Sequence, residues 1–162
     1  RDEKVVIFSS FPYLVFPELM RRLAPWNPLS FTGDMTAEER ESTHRRFFDD
    51  PSASVMCASL KAAGVGITWT NACHVYQLDL WWNPQVLRQA EDRLHRIGQS
   101  QTVFVKRLIS DSTIEEGIKD LLAAKEDVFK FVVEDAPVVS TESGSMQKLL
   151  SLIGLKQDDL PP

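Results

Sequence analysis

The chain has 162 residues, of which 43% are hydrophobic and 25% charged, as expected for one globular domain with its own core. The sequence contains neither the apolar run of about 18 residues that a membrane span needs nor a recognisable signal peptide. The net charge of −5 argues against a nucleic-acid partner. The charge is unevenly distributed, however: residues 88–107 hold five basic and two acidic side chains, whereas residues 111–135 hold three basic and eight acidic ones. A local basic patch therefore remains.

Hydrophobic runs and helix signals alternate along the chain. Apolar runs predict strands at 4–10, 29–32, 55–58, 74–78 and 102–109. A first helix is expected from Pro12 to about Leu23, with Leu14, Leu19 and Leu23 facing inward. Further helices are expected from the capping box at 36–39 to residue 48, from Pro84 onward, and from a second capping box at 113–116 to residue 133. Strands that alternate with helices indicate an α/β fold whose mainly parallel sheet is covered on both faces.

The cysteines and histidines show no spacing typical of a disulfide or a metal site. Cys57 and Cys73 lie in apolar surroundings without CxxC spacing, so they are interpreted as buried small hydrophobes in a reducing, intracellular compartment. The three histidines show no spacing typical of zinc ligands. No metal site is predicted.

The segment QAEDRLHRIGQ at residues 89–99 is the most informative part of the sequence. Pro84 opens a helix that is expected to carry both Arg93 and Arg96, three residues apart and therefore on one face. Guanidinium groups grip phosphate oxygens bidentately, so the pair could form a phosphate clamp at a helix end. The alternative is a solvated basic helix end that complements the helix dipole.

The segment resembles motif VI of superfamily-two helicases, and its HRIGQ ending is similar to the Swi/Snf-like ATPases rather than to DEAD-box RNA helicases. The loop at 59–67 resembles motif V of that group, with Ala63 where the family usually has glycine. The strand at 5–10 resembles motif IV, and residues 33–40 resemble the segment that follows it. Three motifs in the family's order make the resemblance specific.

The resemblance implies a RecA-like three-layer sandwich at residues 1–133. Beyond it, the composition of residues 134–145, rich in Ser, Thr, Pro, Gly and acid, predicts a flexible linker, and an apolar repeat predicts a short helix within the tail at 146–162. This would be the second of two RecA-like lobes, because the sequence contains neither a GxxxxGK[ST] loop nor a DExH box. The missing first lobe of the same protein would bind most of the ATP and Mg²⁺. The isolated lobe is therefore expected to be inactive and monomeric.

The resemblance also implies roles for individual residues. Arg93 and Arg96 would be catalytic arginine fingers, and Gln89, Gly64 and Gly66 would lie at the nucleotide. Arg40 could contact DNA or pair with a neighbouring glutamate. The residues expected at the DNA backbone are Ser10, Arg40, Ser59, Lys61 and Ala62.

The family's activity is ATP-driven translocation on double-stranded DNA, with remodelling or displacement of bound protein. Two alternatives stay open at this point: the second lobe of an RNA helicase, and a non-catalytic module that binds nucleic acid or protein. The expected location is the cytoplasm of a prokaryote, which the helix after motif VI favours, or a eukaryotic nucleus. No membrane partner is expected.

Overall fold

The computed structural model describes residues 3–62 and 66–123. The predicted linker at 134–145 and the predicted helix and tail at 146–162 lie outside the described residues. The elements are β1 (Lys4–Ser9), α1 (Pro12–Arg22), a 3-10 turn (Ala24–Trp26), β2 (Leu29–Phe31), α2 (Ala37–Asp49), β3 (Val55–Ser59), β4 (Ala72–Gln77), α3 (Pro84–Glu91), β5 (Phe104–Arg107) and the described part of α4, residues 114–123.

The strands form one sheet in the order β2-β3-β1-β4-β5, and each pairing between them is parallel. The first strand of the chain lies at the centre, where Val5 is aligned with Val55 of β3 and His74 of β4. This arrangement confirms the predicted α/β class. Because parallel strands point the same way, their carboxyl ends meet at one edge of the sheet, where ligands of such folds bind.

One face of the sheet is covered by α1. Phe16 of α1 packs with Ile7, Val55 and Cys57 in a buried cluster. Burial raises the pKa of the Cys57 thiol to about 12. Cys73 is also buried, and both cysteines are free, which confirms their interpretation as small hydrophobes.

The other face is centred on Trp69, whose side chain is completely buried. Its ring lies edge-on to Phe31 with centroids 5.4 Å apart, and 6.0 Å from the ring of Phe8. The loop that carries Trp69 is tied to α2, because His44 Nε2 lies 2.8 Å from the Thr68 carbonyl oxygen. The predicted sandwich with helices on both faces is therefore observed.

The two helices near the start of the chain test the local sequence signals. In α2 the predicted capping box is confirmed: Thr36 Oγ1 accepts from the Glu39 N–H at 3.2 Å, and Glu39 Oε2 accepts from the Thr36 N–H at 2.8 Å. In α1 the prediction that Leu14 faces inward is wrong, since 81% of Leu14 is exposed. Phe16 occupies the inward stripe instead, and a residue two positions away lies on nearly the opposite side of a helix.

Packing divides the described residues into two compact units. The first contains residues 3–62, 66–79 and 85–108, and the second contains residues 80–84 and 109–123. All five strands, α1 and α2 belong to the first unit, as do the site residues below. None of the described helices is both long enough and apolar enough to cross a membrane.

Candidate functional site

A groove of about 380 Å³ opens at the carboxyl ends of β1, β2 and β3. We call it the edge groove. Four of its lining residues come from the segments singled out in the sequence: Ser10, Gly33, Ser59 and Lys61. Its other lining residues form an apolar wall at the start of α1: Phe11, Pro12, Tyr13 and Leu14. The fold thus brings together positions that lie far apart in the chain.

Ser10 is held at the edge groove by Asp79, which follows β4. The two Asp79 carboxylate oxygens accept from the Ser10 N–H at 2.9 and 3.1 Å, and Oδ2 also accepts from the buried Ser9 hydroxyl at 2.6 Å. Ser9 Oγ in turn accepts from the Phe11 N–H at 3.0 Å. Within the described part of the chain the Ser10 hydroxyl, whose oxygen is buried, has no hydrogen-bond partner, which is unusual for a buried polar group.

Arg40 projects from α2 towards the end of β2. Its Nη2 donates to the Gly33 carbonyl oxygen at 2.8 Å, and its buried Nε finds no acceptor among the described residues. Asp34, the residue after Gly33, supplies an acid close by. A hydrogen bond from Thr32 keeps the pKa of the Asp34 carboxyl below its usual value. Arg40 and Asp34 therefore bring opposite charges next to Gly33, which lines the edge groove.

The turn after β3 is closed by a hydrogen bond to the side chain of Ser59. Ser59 Oγ accepts from the Ala62 N–H at 3.1 Å, and both residues are buried. Lys61 is exposed and lines the edge groove. Of these three predicted DNA contacts, Lys61 is therefore the one that presents a charge, while the side chain of Ala62 is only 1% exposed.

The prediction that one helix carries both arginines is wrong, because α3 ends at Glu91. Arg93 and Arg96 lie in the following turn, residues 92–99, which we call the arginine turn. One tertiary and one local contact hold this turn: the Trp69 N–H donates to the Arg93 carbonyl at 2.7 Å, and Gln99 Nε2, within the turn, donates to the Leu94 carbonyl at 3.2 Å. The Arg93 carbonyl thus accepts from Trp69 rather than from a helical N–H further along the chain.

The two arginines nevertheless project from the same short turn. Arg96 is exposed, and its Nη1 donates to Thr68 Oγ1 at 3.0 Å. The Nε of Arg93 is buried without a partner in the described part of the structure. A buried guanidinium nitrogen that lacks an acceptor is suited to an anionic ligand. The arrangement is compatible with a phosphate clamp built on a turn.

The remaining predicted nucleotide residues are Gly64, Gly66 and Gln89. Gly66 precedes Thr68 and has a φ of +54°, a conformation that favours glycine. Gln89 is exposed on α3. Gly64 lies outside the described residues, and so does Ala63, whose effect on the motif V turn stays open.

Several residues that hold these sites were missed as individual contributors by the sequence analysis. Glu91 and Gln99 occurred only as letters of the segment at residues 89–99, and Thr68 and Asp79 were given no role. The sequence offers one signal for such supporting residues, which is a polar side chain at the end of a buried strand or next to a phosphate-binding arginine. What it meets there depends on distant segments of the chain.

Comparison with known proteins agrees with this geometry. Residues 1–98 match the family of the helicase conserved C-terminal domain. The chain is 35% identical over 148 residues to the DNA repair protein RAD5B of Arabidopsis thaliana, covering 91% of this chain and 12% of that protein. It is 40% identical over 152 residues to an uncharacterized ATP-dependent helicase of Mycoplasma genitalium, covering 92% of this chain and 14% of that protein. The chain thus spans a small part of each relative.

Two solved structures are similar as well. The C-terminal part of the Fun30 ATPase domain superposes with a TM-score of 0.73 at 26% identity, covering 93% of this chain and 47% of that one. The SWI2/SNF2 ATPase core domain of Sulfolobus solfataricus gives a TM-score of 0.67 at 32% identity, covering 96% of this chain and 32% of that one. These similarities confirm the predicted RecA-like fold.

Proposed function

Because this chain belongs to the helicase conserved C-terminal domain family, as found in Swi2/Snf2-like ATP-dependent helicases, we propose that it is the second lobe of a DNA-dependent ATPase. The parent protein would move along double-stranded DNA and remodel or displace bound protein. The observation that supports this most directly is the edge groove, which gathers residues of three helicase-like segments around one surface.

The edge groove is proposed to hold the DNA backbone. Lys61 supplies an exposed charge, the Ser10 hydroxyl is free to donate to a phosphate oxygen, and Arg40 stands behind Gly33. Ser59 and Ala62 shape the turn that presents Lys61. Contacts of this kind position a protein on DNA without reading its sequence, so binding should be sensitive to salt and indifferent to base order.

The arginine turn is proposed to face the nucleotide. The donors present fit a phosphate, since Arg93 has a buried Nε without an acceptor among the described residues and Arg96 is exposed. Bound ATP would supply the phosphoryl group whose transfer to water drives the motor, with Mg²⁺ held mainly by the first lobe. Arg93 and Arg96 would stabilise the negative charge that develops on that group, an effect worth a rate factor of about a thousand or more. Gln89, Gly64 and Gly66 would line the nucleotide's surroundings.

The decisive experiment measures ATP turnover by the native two-lobe parent, with and without duplex DNA. The variant Arg96→Ala is compared with Arg45→Ala, which removes the same charge from an exposed pair with Glu41 on α2. A matched RNA duplex replaces the DNA in a third arm. The lobe alone is assayed in parallel and is expected to be inactive.

We expect DNA to stimulate turnover, RNA to fail to do so, and Arg96→Ala to remove about a thousandfold of the rate while Arg45→Ala stays close to wild type. Turnover that ignores both DNA and Arg96→Ala would overturn the motor assignment. Stimulation by RNA alone would replace it with an RNA helicase.

A further inference from the structure

Thr68 and Trp69, which follow the loop at 59–67, contact the arginine turn at both of its arginines. The Thr68 hydroxyl accepts from Arg96 Nη1 at 3.0 Å, and the Trp69 N–H donates to the Arg93 carbonyl at 2.7 Å. Arg93 is therefore held through its main chain, whereas Arg96 is held through its guanidinium. Thr68 thus contacts the very group that the proposed function assigns to the phosphate.

The backbone of Thr68 is fixed on two sides. His44 Nε2 of α2 lies 2.8 Å from the Thr68 carbonyl oxygen, and because that oxygen can only accept, the ring donates. On the other side, Trp69 is completely buried and its ring packs against Phe31 and Phe8. Threonine is also stiff at χ1, so few positions are open to its hydroxyl. The hydroxyl therefore offers Arg96 a fixed acceptor.

The Arg96 side chain has little support of its own. It is exposed, and in the described part of the chain the Thr68 hydroxyl is the group that bonds its guanidinium. Asp92, the exposed acid of the same turn, forms no ion pair with Arg96 among the described residues. A long side chain loses rotamer freedom when it is ordered at a ligand, and a contact that orders it beforehand reduces that loss.

We infer that Thr68 is a positioning residue for Arg96. By holding Nη1, it leaves Nε and Nη2, which lie along one edge of the planar guanidinium, as a pair of donors for phosphate oxygens. Thr68 itself need not touch the nucleotide. This inference rests on the proposed function of the arginine turn, and it names the residue that keeps Arg96 in place before the phosphate arrives.

The test uses the full two-lobe parent with Thr68→Val, which removes the hydroxyl but keeps the shape, and Thr68→Ser, which keeps the hydroxyl. The matched control is Thr70→Val, the same change at another half-buried threonine of this loop. Thr68→Val should lower the DNA-stimulated kcat about tenfold, the worth of a hydrogen bond to a charged group, and should change the KM for ATP by less than about twofold, because a finger acts on the transition state. Thr68→Ser should stay within about threefold of wild type, and Thr70→Val should match wild type.

A double variant separates positioning from a general loss of structure. Thr68→Val added to Arg96→Ala should lower kcat no further than Arg96→Ala alone, because the hydroxyl acts through the guanidinium. If circular dichroism shows that Thr68→Val does not fold, Thr68→Ala takes its place in each comparison.

Three results would each overturn the inference: a further loss in the double variant, a Thr68→Ser as impaired as Thr68→Val, or a Thr68→Val that turns over ATP as fast as wild type or faster. If wild type shows no DNA-stimulated turnover, or Arg96→Ala has no effect, the proposed function itself has failed.

Discussion

Replacing Trp69 with leucine tests whether the sheet face beneath the loop at 66–71 depends on one side chain. Trp69 is completely buried and contacts Phe31 and Phe8 at centroid distances of 5.4 and 6.0 Å. Each aromatic pair contributes about 0.5–1.5 kcal/mol beyond its burial. Emptying a tryptophan site completely costs about 3–5 kcal/mol, and leucine would refill part of the space.

One term acts in the opposite direction. The indole Nε1 of Trp69 is buried without a partner in the described part of the chain, and leucine removes that unsatisfied donor, a gain of about 1 kcal/mol. The balance is a loss of roughly 2–3 kcal/mol in the free energy of unfolding.

Urea unfolding followed by far-ultraviolet circular dichroism measures this loss without depending on tryptophan fluorescence. The matched control is Trp26→Leu, the same chemical change at a side chain that is 53% exposed, which should shift stability by no more than about 0.5 kcal/mol. A Trp69→Leu variant as stable as this control would refute the reasoning, because it would mean that the buried aromatic contacts contribute nothing net.

Three further predictions concern single side chains. Thr36→Ala removes the confirmed capping box of α2 and should lower the free energy of unfolding by about 1 kcal/mol in the same assay. Hydrogen bonds from Arg21 and Arg22 lower the pKa of Glu18 from 4.5 to about 2. Because the pKa of Glu18 is depressed in the folded state, the stabilisation that its ionised carboxylate gives is present above pH 4.5 and is lost as the pH falls towards about 2. Carboxyl NMR follows the titration, and acid unfolding of Glu18→Gln beside wild type follows the loss of stability. Lys61→Ala in the parent should weaken DNA binding and reduce the slope of log K against log salt by about one.

Matched controls make these outcomes specific. Ser42→Ala, an exposed change within α2, should not destabilise the chain, and an equal loss in both variants would exclude the cap as the cause. A Glu18 carboxyl that titrates at its ordinary value would contradict the paired geometry. Arg45→Ala should leave the salt dependence of DNA binding unchanged, so that an equal drop in slope would point to overall charge instead of the groove.

The sequence predicted those features of the fold that depend on neighbours in the chain. Apolar runs located the strands, and the side chains of Thr36 and Glu39 were sufficient to start α2 where it begins. The inward stripe of α1 was misassigned at Leu14, because several stripes of that helix are apolar and only packing against β1 and β3 selects the one centred on Phe16.

The candidate site divides in the same way. Three of the residues that the resemblance placed at the DNA backbone, Ser10, Ser59 and Lys61, line the edge groove, since the carboxyl ends of parallel strands must meet at one edge. The end of α3 could not be predicted, because it depends on the Trp69 N–H, which reaches the Arg93 carbonyl from a distant segment of the chain. The role of Thr68 likewise depends on His44 and Arg96, which no local pattern connects to it.

The central place of β1 has a consequence for the way the chain acquires its structure. β1 precedes the other strands of its sheet in the chain, yet its partners are β3 and β4, whose residues Val55 and His74 follow much later. Its backbone groups can be satisfied only after both of those strands have left the ribosome. Non-local pairing of this kind carries a high loop-closure entropy and slows folding. A nascent chain arrested before Ala72 would therefore present an apolar strand with one edge unpaired, which is the condition in which a chaperone is needed most.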